Sequence, residues 1–189
     1  MLLNKYNRQK LELQKNENTC GIAAIRNSLS LSFNCGILEE ELWFPAQRIY
    51  DDAGIKRKIL TDGIGPSAMA KLIKNIGQEK IKKELKVFMT PNGNISQLEY
   101  FLTGGIAPII HRPFWEGDHD GHYETVTGID NNYVYLFNSA NKTETSGIHK
   151  KTLRDFNEKW WQFDGERWFL AYFSADVALS RTQFRGKYG

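Results

Sequence analysis

The stretch Gln14-Lys15-Asn16-Glu17-Asn18-Thr19-Cys20-Gly21 decides how the rest of the chain is interpreted. It places a glutamine six positions before a cysteine, and polar residues suited to capping a helix directly before that cysteine. Apolar residues then recur at helical spacing, which predicts a helix that begins at the thiol; they are Ile22, Ile25 and Leu29. Because a helix N-terminus carries partial positive charge, it favours the thiolate over the thiol. Cys20 is therefore a candidate nucleophile.

Three further residues are candidates to assist a reactive Cys20. His122, in Gly121-His122-Tyr123, begins a β-rich segment and can accept the thiol proton. Asn138 ends a strand pattern sixteen residues later, so two strands joined by a short turn would bring both residues to one end of a sheet. The Gln14 amide, with the Cys20 backbone N–H, can donate to a developing oxyanion. Each residue alone also fits an ordinary role, as a buried thiol, a satisfied histidine, a turn asparagine or a solvated glutamine.

The remaining pattern indicates helices first and an antiparallel sheet afterwards. Pro45 is predicted to begin or break a helix within residues 39–50, while Pro66 and Gly77 are predicted to begin and end the next helix. From residue 85 onward strand patterns predominate, with helices predicted over 95–102 and 153–161. The predicted strands are 85–89, 107–110, 123–127, 133–137 and 168–173. This order predicts a fold of the α+β class with two lobes.

The composition predicts one globular domain. The 189 residues are 41% hydrophobic and carry a formal net charge of +3, without the basic and aromatic pattern of a nucleic-acid-binding face. No segment has the length and hydropathy of a signal peptide or of a membrane span, so a cytoplasmic location is expected. The cysteines, Cys20 and Cys35, are expected to stay reduced there, with Cys35 a small core residue or an inert thiol.

Three residues are candidate contacts for a substrate. Gly21 would leave room for a substrate backbone beside the thiol, and Trp115, in the loop before His122, either packs in the core or lines the cleft. Glu124 lies two positions after His122 and hence on the same strand face. It is either a salt-bridged structural residue or a group that selects a cationic or amine substrate. A divalent-metal site is a rival interpretation of this region, although its spacing matches no metal motif that we can name. Its ligands would be Asp118, His119, Asp120 and His122.

Taken together, these segments resemble the bacteriocin-processing peptidases, which are papain-fold cysteine proteases that cleave double-glycine leader peptides, and their stand-alone relatives. The resemblance runs from Gln14 to about Phe173, and its specificity lies in the order and spacing of short motifs. Those motifs are Gln14 with Cys20-Gly21-Ile22-Ala23-Ala24, Thr61-Asp62-Gly63, Gly104-Gly105 before a buried strand, Gly121-His122-Tyr123 with Gly128-Ile129-Asp130, and Phe156 with Trp160.

The resemblance implies a papain-like α+β fold, with an N-terminal helical lobe packed on an antiparallel sheet. We expect a single domain over residues 1–189, with an N-terminal arm at 1–13 and a loose tail at 184–189. The implied chemistry is hydrolysis of a peptide, isopeptide or related amide bond in a peptide or protein substrate, without a cofactor. In that chemistry Cys20 is the nucleophile and His122 the base and acid, while Asn138 orients the histidine and Gln14 donates to the oxyanion.

The chain also departs from the family pattern. Asn138 stands where the family usually has an aspartate, so it supplies no counter-charge for an imidazolium. Thr19 replaces an aspartate that commonly precedes the nucleophile, and Glu124 replaces an apolar residue. Two other functions stay open: a catalytically silent papain-fold module that holds a peptide tail, and an acyltransferase in which an amine captures the thioester. The sequence predicts no oligomeric state.

Overall fold

The computed structural model describes residues 11–112, 121–140, 147–160 and 166–175. Within these ranges lie six helices, a π-helical turn at Gly77–Ile81 and six strands. The helices are α1 (Cys20–Phe33), α2 (Glu40–Asp52), α3 (Ile59–Asp62), α4 (Pro66–Ile76), α5 (Ile95–Thr103) and α6 (Leu153–Lys159). The strands are β1 (Leu85–Thr90), β2 (Ile109–Arg112), β3 (His122–Ile129), β4 (Tyr133–Asn138), β5 (Gly147–Thr152) and β6 (Phe169–Ser174).

The strands form a single antiparallel sheet in the order β1-β6-β2-β3-β4-β5. The turn between β3 and β4 is closed by Asp130, whose carboxylate accepts from the backbone N–H groups of Asn132 and Tyr133 at 2.9 Å each. Aspartate favours such turns because its short side chain reaches the backbone two residues on. The tight turn brings the first residue of β3 and the last residue of β4 to the same end of the sheet.

Helices cover both faces of this sheet. One core joins α1, α2 and α4 to sheet residues that include Tyr123, and a second core joins α5 and α6 to residues that include Val126. Successive residues of a strand point to opposite faces, so β3 contributes to both cores. α1 lies against β3, where the Thr125 hydroxyl donates to the Ala24 carbonyl across 3.3 Å. The N-terminus of α1 is thereby held beside the strand that His122 begins.

Most predicted elements are present within two residues of their predicted bounds, including α4, α5 and all five predicted strands. β5 is an additional strand that was not predicted, because its half-buried and exposed residues alternate at a sheet edge without an apolar pattern. The predicted helix over 153–161 ends at Lys159, and residue 161 lies outside the described ranges. The predicted tail and most of the predicted arm also lie outside them. Of the helices described, none combines the length and hydropathy needed to cross a membrane.

The prediction that Pro45 begins or breaks a helix is wrong, because α2 continues through it. A proline removes one backbone donor, and here the lost bond would have reached only the Glu41 carbonyl in the first turn. Leu42, Ala46 and Tyr50 are buried at four-residue spacing along α2. Their burial in the first core keeps one face of the helix packed on both sides of the proline.

Candidate active site

Cys20 is the first residue of α1 and is partly accessible, between the buried residues Thr19 and Gly21. Neither Cys20 nor Cys35 forms a disulfide bond, as the sequence predicts. Cys35 is also half-buried and packs against the first core, and burial raises the pKa of its thiol. The two thiols therefore differ in setting, since only Cys20 stands at a helix N-terminus, where partial positive charge favours a thiolate.

A buried carboxylate holds the loop that precedes the thiol. Glu39 is 2% exposed, and it accepts from the Thr19 hydroxyl at 2.6 Å, the Lys15 backbone N–H at 3.0 Å and the Trp43 indole at 3.3 Å. Burial raises the pKa of Glu39, and hydrogen bonds from these neutral donors oppose the rise only in part. Through Thr19, this contact fixes the residue directly before Cys20.

Gly21 packs against the sheet instead of lining an open space. A Cβ built on Gly21 would lie 2.6 Å from the Ile64 Cγ2 atom and 3.2 Å from the Tyr123 ring. A glycine is therefore needed for α1 to approach β3 and the segment before α4. Burial raises the pKa of Tyr123 well above its ordinary value, and a negative charge on Cys20 would add to the rise. A substrate contact at Gly21 stays a prediction.

His122 and Asn138 meet at the end of the sheet, as the spacing predicts. The His122 Nε2 atom lies 2.9 Å from the Asn138 Oδ1 atom, and both residues are buried. The same Oδ1 atom accepts from the Ala140 backbone N–H at 2.8 Å, which fixes the amide with its oxygen toward the ring. Because Oδ1 can only accept, Nε2 carries the proton in this contact. The neutral ring then has its lone pair on Nδ1, the nitrogen that could take a proton from a thiol.

Gln14 joins the nucleophile loop to the end of β4. Its backbone N–H donates to the Ser139 carbonyl at 2.7 Å, and its side-chain oxygen accepts from the Ser139 hydroxyl at 3.2 Å. Its amide nitrogen donates to the carbonyls of Asn16 and Glu17 at 3.0 and 2.8 Å. Gln14 thus positions the loop before Cys20 against the residue that follows Asn138. Donation to an oxyanion would require the amide to share or exchange one of these acceptors, and that role stays a prediction.

The Glu124 carboxylate is fully buried and bound within the protein, so the predicted contact with a substrate stays a prediction. Its two oxygens accept from Arg112, with Nε at 2.8 Å and Nη2 at 2.7 Å, and the His149 Nε2 atom lies 3.4 Å away. Burial alone would raise the pKa of Glu124, but His149 and Arg112 lower it to about 2. The alternative interpretation, a salt-bridged structural residue, fits this geometry.

Two other predictions concern the segment of sequence between β2 and β3. Trp115 and the rival metal ligands Asp118, His119 and Asp120 lie outside the described residues. In the part of the chain that the structure describes, no group of three or more histidine, cysteine, aspartate or glutamate side chains could hold a metal ion.

Sequence reasoning missed four residues that shape this site: Glu39, Arg112, Ser139 and His149. The sequence offers one signal for such residues, namely a charged residue in a segment whose other residues are expected to face the core. This signal identified only Glu124. The others act through contacts 12 to 125 residues away in sequence, and no local pattern reveals such contacts.

Comparison with known proteins agrees with this geometry at the level of the fold. The structure is similar to the peptidase domain of Streptococcus ComA, a bifunctional ABC transporter involved in a quorum-sensing pathway, with 15% identity, a TM-score of 0.56, and coverage of 86% of this chain and 95% of that one. It is also similar to a C39-like peptidase from Bacillus anthracis, with 14% identity, a TM-score of 0.59, and coverage of 87% and 94%. No protein-family model and no curated protein sequence matches the chain. The predicted α+β, papain-like architecture is confirmed. The chain therefore has the fold of the bacteriocin-processing, C39-type cysteine peptidase domains.

Proposed function

We propose that this protein is a cysteine peptidase that hydrolyses a peptide, isopeptide or related amide bond through a thioester on Cys20. The observation that carries the proposal is the 2.9 Å contact between His122 Nε2 and Asn138 Oδ1, in a fold where α1 begins at a cysteine. This contact leaves Nδ1 as the ring nitrogen that exchanges a proton with the thiol.

The proposed reaction has two halves. In acylation, His122 takes the Cys20 proton, the thiolate attacks the substrate carbonyl carbon, and the tetrahedral intermediate expels the amine, which receives its proton from His122. In deacylation, His122 takes a proton from water, the hydroxide attacks the thioester carbonyl, and Cys20 leaves as a thiolate that the imidazolium pairs with. The products are a carboxylic acid and an amine, and no cofactor takes part.

The oxyanion of each intermediate would be bound at the N-terminus of α1. The first N–H groups of a helix have no intrahelical acceptor, and they point toward the space before the first residue. The Cys20 N–H would serve in this way, with the Gln14 amide as a second donor if it turns from the loop carbonyls. The buried Glu39 and Ser139 contacts keep the loop in place while charge develops.

The first test is the pH dependence of iodoacetamide alkylation at both cysteines, read by mass spectrometry. A paired thiolate has a pKa of about 3–4 and an isolated thiol one of about 8.5, so at pH 6 Cys20 is expected to react about 100-fold faster than Cys35. Cys35 serves as an internal control because burial raises its pKa. His122→Ala should remove the advantage of Cys20 and leave Cys35 unchanged.

Substrate turnover then separates hydrolysis from the alternatives. A peptide library incubated with the wild-type chain should give products one water heavier in total than the substrate, and Cys20→Ala should give none. Products that carry an added amine would instead indicate acyl transfer to that amine. A Cys20 that titrates like Cys35, with no response to His122→Ala, would contradict the proposed function and favour a peptide-binding module.

A further inference from the structure

A cluster of charged side chains is centred on Glu124, in the strand that begins at His122. Glu124, Arg112 and His149 come from β3, β2 and β5, and the Glu124 carboxylate at its centre is fully buried. Arg112 grips both carboxylate oxygens, at 2.7 and 2.8 Å, in a bidentate pair. His149 Nε2 is buried, has no hydrogen-bond partner among the described residues, and lies 3.4 Å from the Glu124 Oε1 atom.

This cluster adjoins the candidate base directly. Glu124 is two residues after His122 in β3, so the two side chains share a face of the sheet. Arg112 is the register partner of His122 in β2, and such partners in antiparallel strands have Cα atoms about 4.5–5.5 Å apart. The Arg112 guanidinium, which is always charged, binds Glu124 on the face of the sheet that also carries the imidazole of His122, the group that must become a cation during acylation.

The positive charge on Arg112 opposes the protonation of His122 unless a negative charge offsets it. A charge within about 4–6 Å changes a pKa by about 1–3, and a like charge disfavours the charged form. In a site with an aspartate as orienting residue, that carboxylate would favour the imidazolium, but Asn138 is neutral. The carboxylate nearest to the guanidinium among the described residues is Glu124.

We propose that Glu124 is a positioning residue that neutralises Arg112 beside His122, and so preserves the imidazolium of His122 in a site whose orienting residue carries no charge. This inference rests on the proposed function, since it assigns Glu124 a role in the protonation of the same base. It also gives a reason for a buried glutamate in a strand that otherwise packs into a core.

The test must separate the effect of Glu124 on His122 from the effects of the other described groups around it. Arg112, Glu124 and His149 lie on its face of the sheet. On the opposite face, the His111 ring packs against Tyr123 with centroids 4.3 Å apart. Cys20 contributes a negative charge from α1 when it is ionised. Because three histidines lie in this region, the protonation of His122 has to be observed at its own resonance.

The experiment is a histidine NMR titration of the full chain in a Cys20→Ala background, with resonances assigned by single His→Gln variants. Glu124→Gln should lower the His122 pKa by about one pH unit, because Arg112 loses this carboxylate. The double variant Arg112→Met/Glu124→Leu removes both charges and should return the pKa to within about 0.3 of the background value. Glu158→Gln is the matched control, since it makes the same change in an exposed Arg154–Glu158 pair, and should leave His122 unchanged.

A His122 pKa that does not move in Glu124→Gln, or that moves equally in the double variant, would overturn the proposal and assign Glu124 to packing alone. If Glu124→Gln does not fold, the double variant Arg112→Lys/Glu124→Gln takes its place in the titration. Its lysine keeps the positive charge on a flexible side chain that reaches solvent. A fall of about half a pH unit is then expected, and no fall would overturn the proposal. Alkylation of Cys20 in the native background reports separately on the proposed function, because a Cys20–His122 pair can be present whether or not Glu124 influences it.

Discussion

Two buried glutamates stand on opposite sides of the candidate site, and their surroundings give them opposite properties. Glu39 holds the loop before Cys20 and is 2% exposed, while Glu124 lies beside His122 and is fully buried. Burial raises the pKa of Glu39, whose hydrogen-bond donors are neutral. The pKa of Glu124 is lowered to about 2, because a guanidinium and an imidazole offset the effect of burial.

The comparison shows that the partners of a buried carboxyl group decide whether its pKa lies above or below the ordinary value. The cysteine side of the site is built from a carboxyl group that neutral donors hold in place, so its geometry depends on hydrogen bonds. The histidine side contains an ion pair, so its geometry and its electrostatic potential are linked. A change in one glutamate should therefore affect stability and pH dependence differently from the same change in the other.

The largest effect is expected for Glu124→Gln. Removing one partner of a buried ion pair leaves the other charge poorly compensated, so the free energy of unfolding at pH 7 should fall by about 3 kcal/mol. Urea denaturation measures this change. The double variant Arg112→Met/Glu124→Leu should recover most of the loss, because apolar replacements of similar size are often neutral. Glu158→Gln, at an exposed pair, should stay within about 0.5 kcal/mol of wild type.

Gly21→Ala tests the packing on the cysteine side. The new methyl group would lie 2.6 Å from Ile64 Cγ2 and 3.2 Å from the Tyr123 ring, so the helix N-terminus or these two side chains must shift. Overpacking of this kind lowers the free energy of unfolding by about 1–3 kcal/mol, and the Cys20 alkylation advantage should fall with it. Gly36→Ala is the control, since a Cβ there meets no atom within 4 Å. Equal stability of the two alanine variants would show that the close approach of α1 is not required.

The smallest change in the free energy of unfolding is expected for Glu39→Gln, which also gives the sharpest contrast in pH dependence with Glu124→Gln. The oxygen of the new amide can accept from the Thr19 hydroxyl, but the amide nitrogen cannot accept from the Lys15 backbone N–H. The free energy of unfolding should therefore fall by about 1 kcal/mol near pH 4. The folded-state pKa of Glu39 is raised, so the stability that wild type gains from the protonated group is lost as pH rises through that pKa. The cost of Glu39→Gln should therefore shrink between pH 4 and pH 7.

Glu124 should show the reverse dependence on pH. Its folded-state pKa is lowered to about 2, so its stabilising effect is present above the ordinary glutamate pKa of about 4.3 and is lost as pH falls toward 2. The cost of Glu124→Gln should therefore be greatest at neutral pH and should shrink on acidification. Urea titrations of both variants at pH 3, 4, 5.5 and 7 would measure both trends, and parallel trends would contradict the comparison.

The sequence predicted the parts of the molecule that have a local pattern. α4 has an apolar period that ends at Gly77, and the strand pair that carries His122 and Asn138 has alternation and a turn residue, so their contact could be predicted from the spacing. β5 could not be predicted, because an edge strand with lysines has no apolar alternation. The roles of Glu39 and Arg112 could not be predicted either, since each depends on partners that only the fold brings near. The passage of α2 through Pro45 also depends on tertiary packing, which outweighs a local preference.

The bonds between Gln14 and Ser139 also bear on when this thiol becomes reactive. The two residues are 125 positions apart, and the strands that carry His122 and Asn138 follow the nucleophile by more than a hundred residues. During synthesis, the helix that begins at Cys20 leaves the ribosome long before either partner exists. Under the proposed function, a growing chain would carry an ordinary thiol, and the proposed hydrolysis would begin only when the sheet is complete.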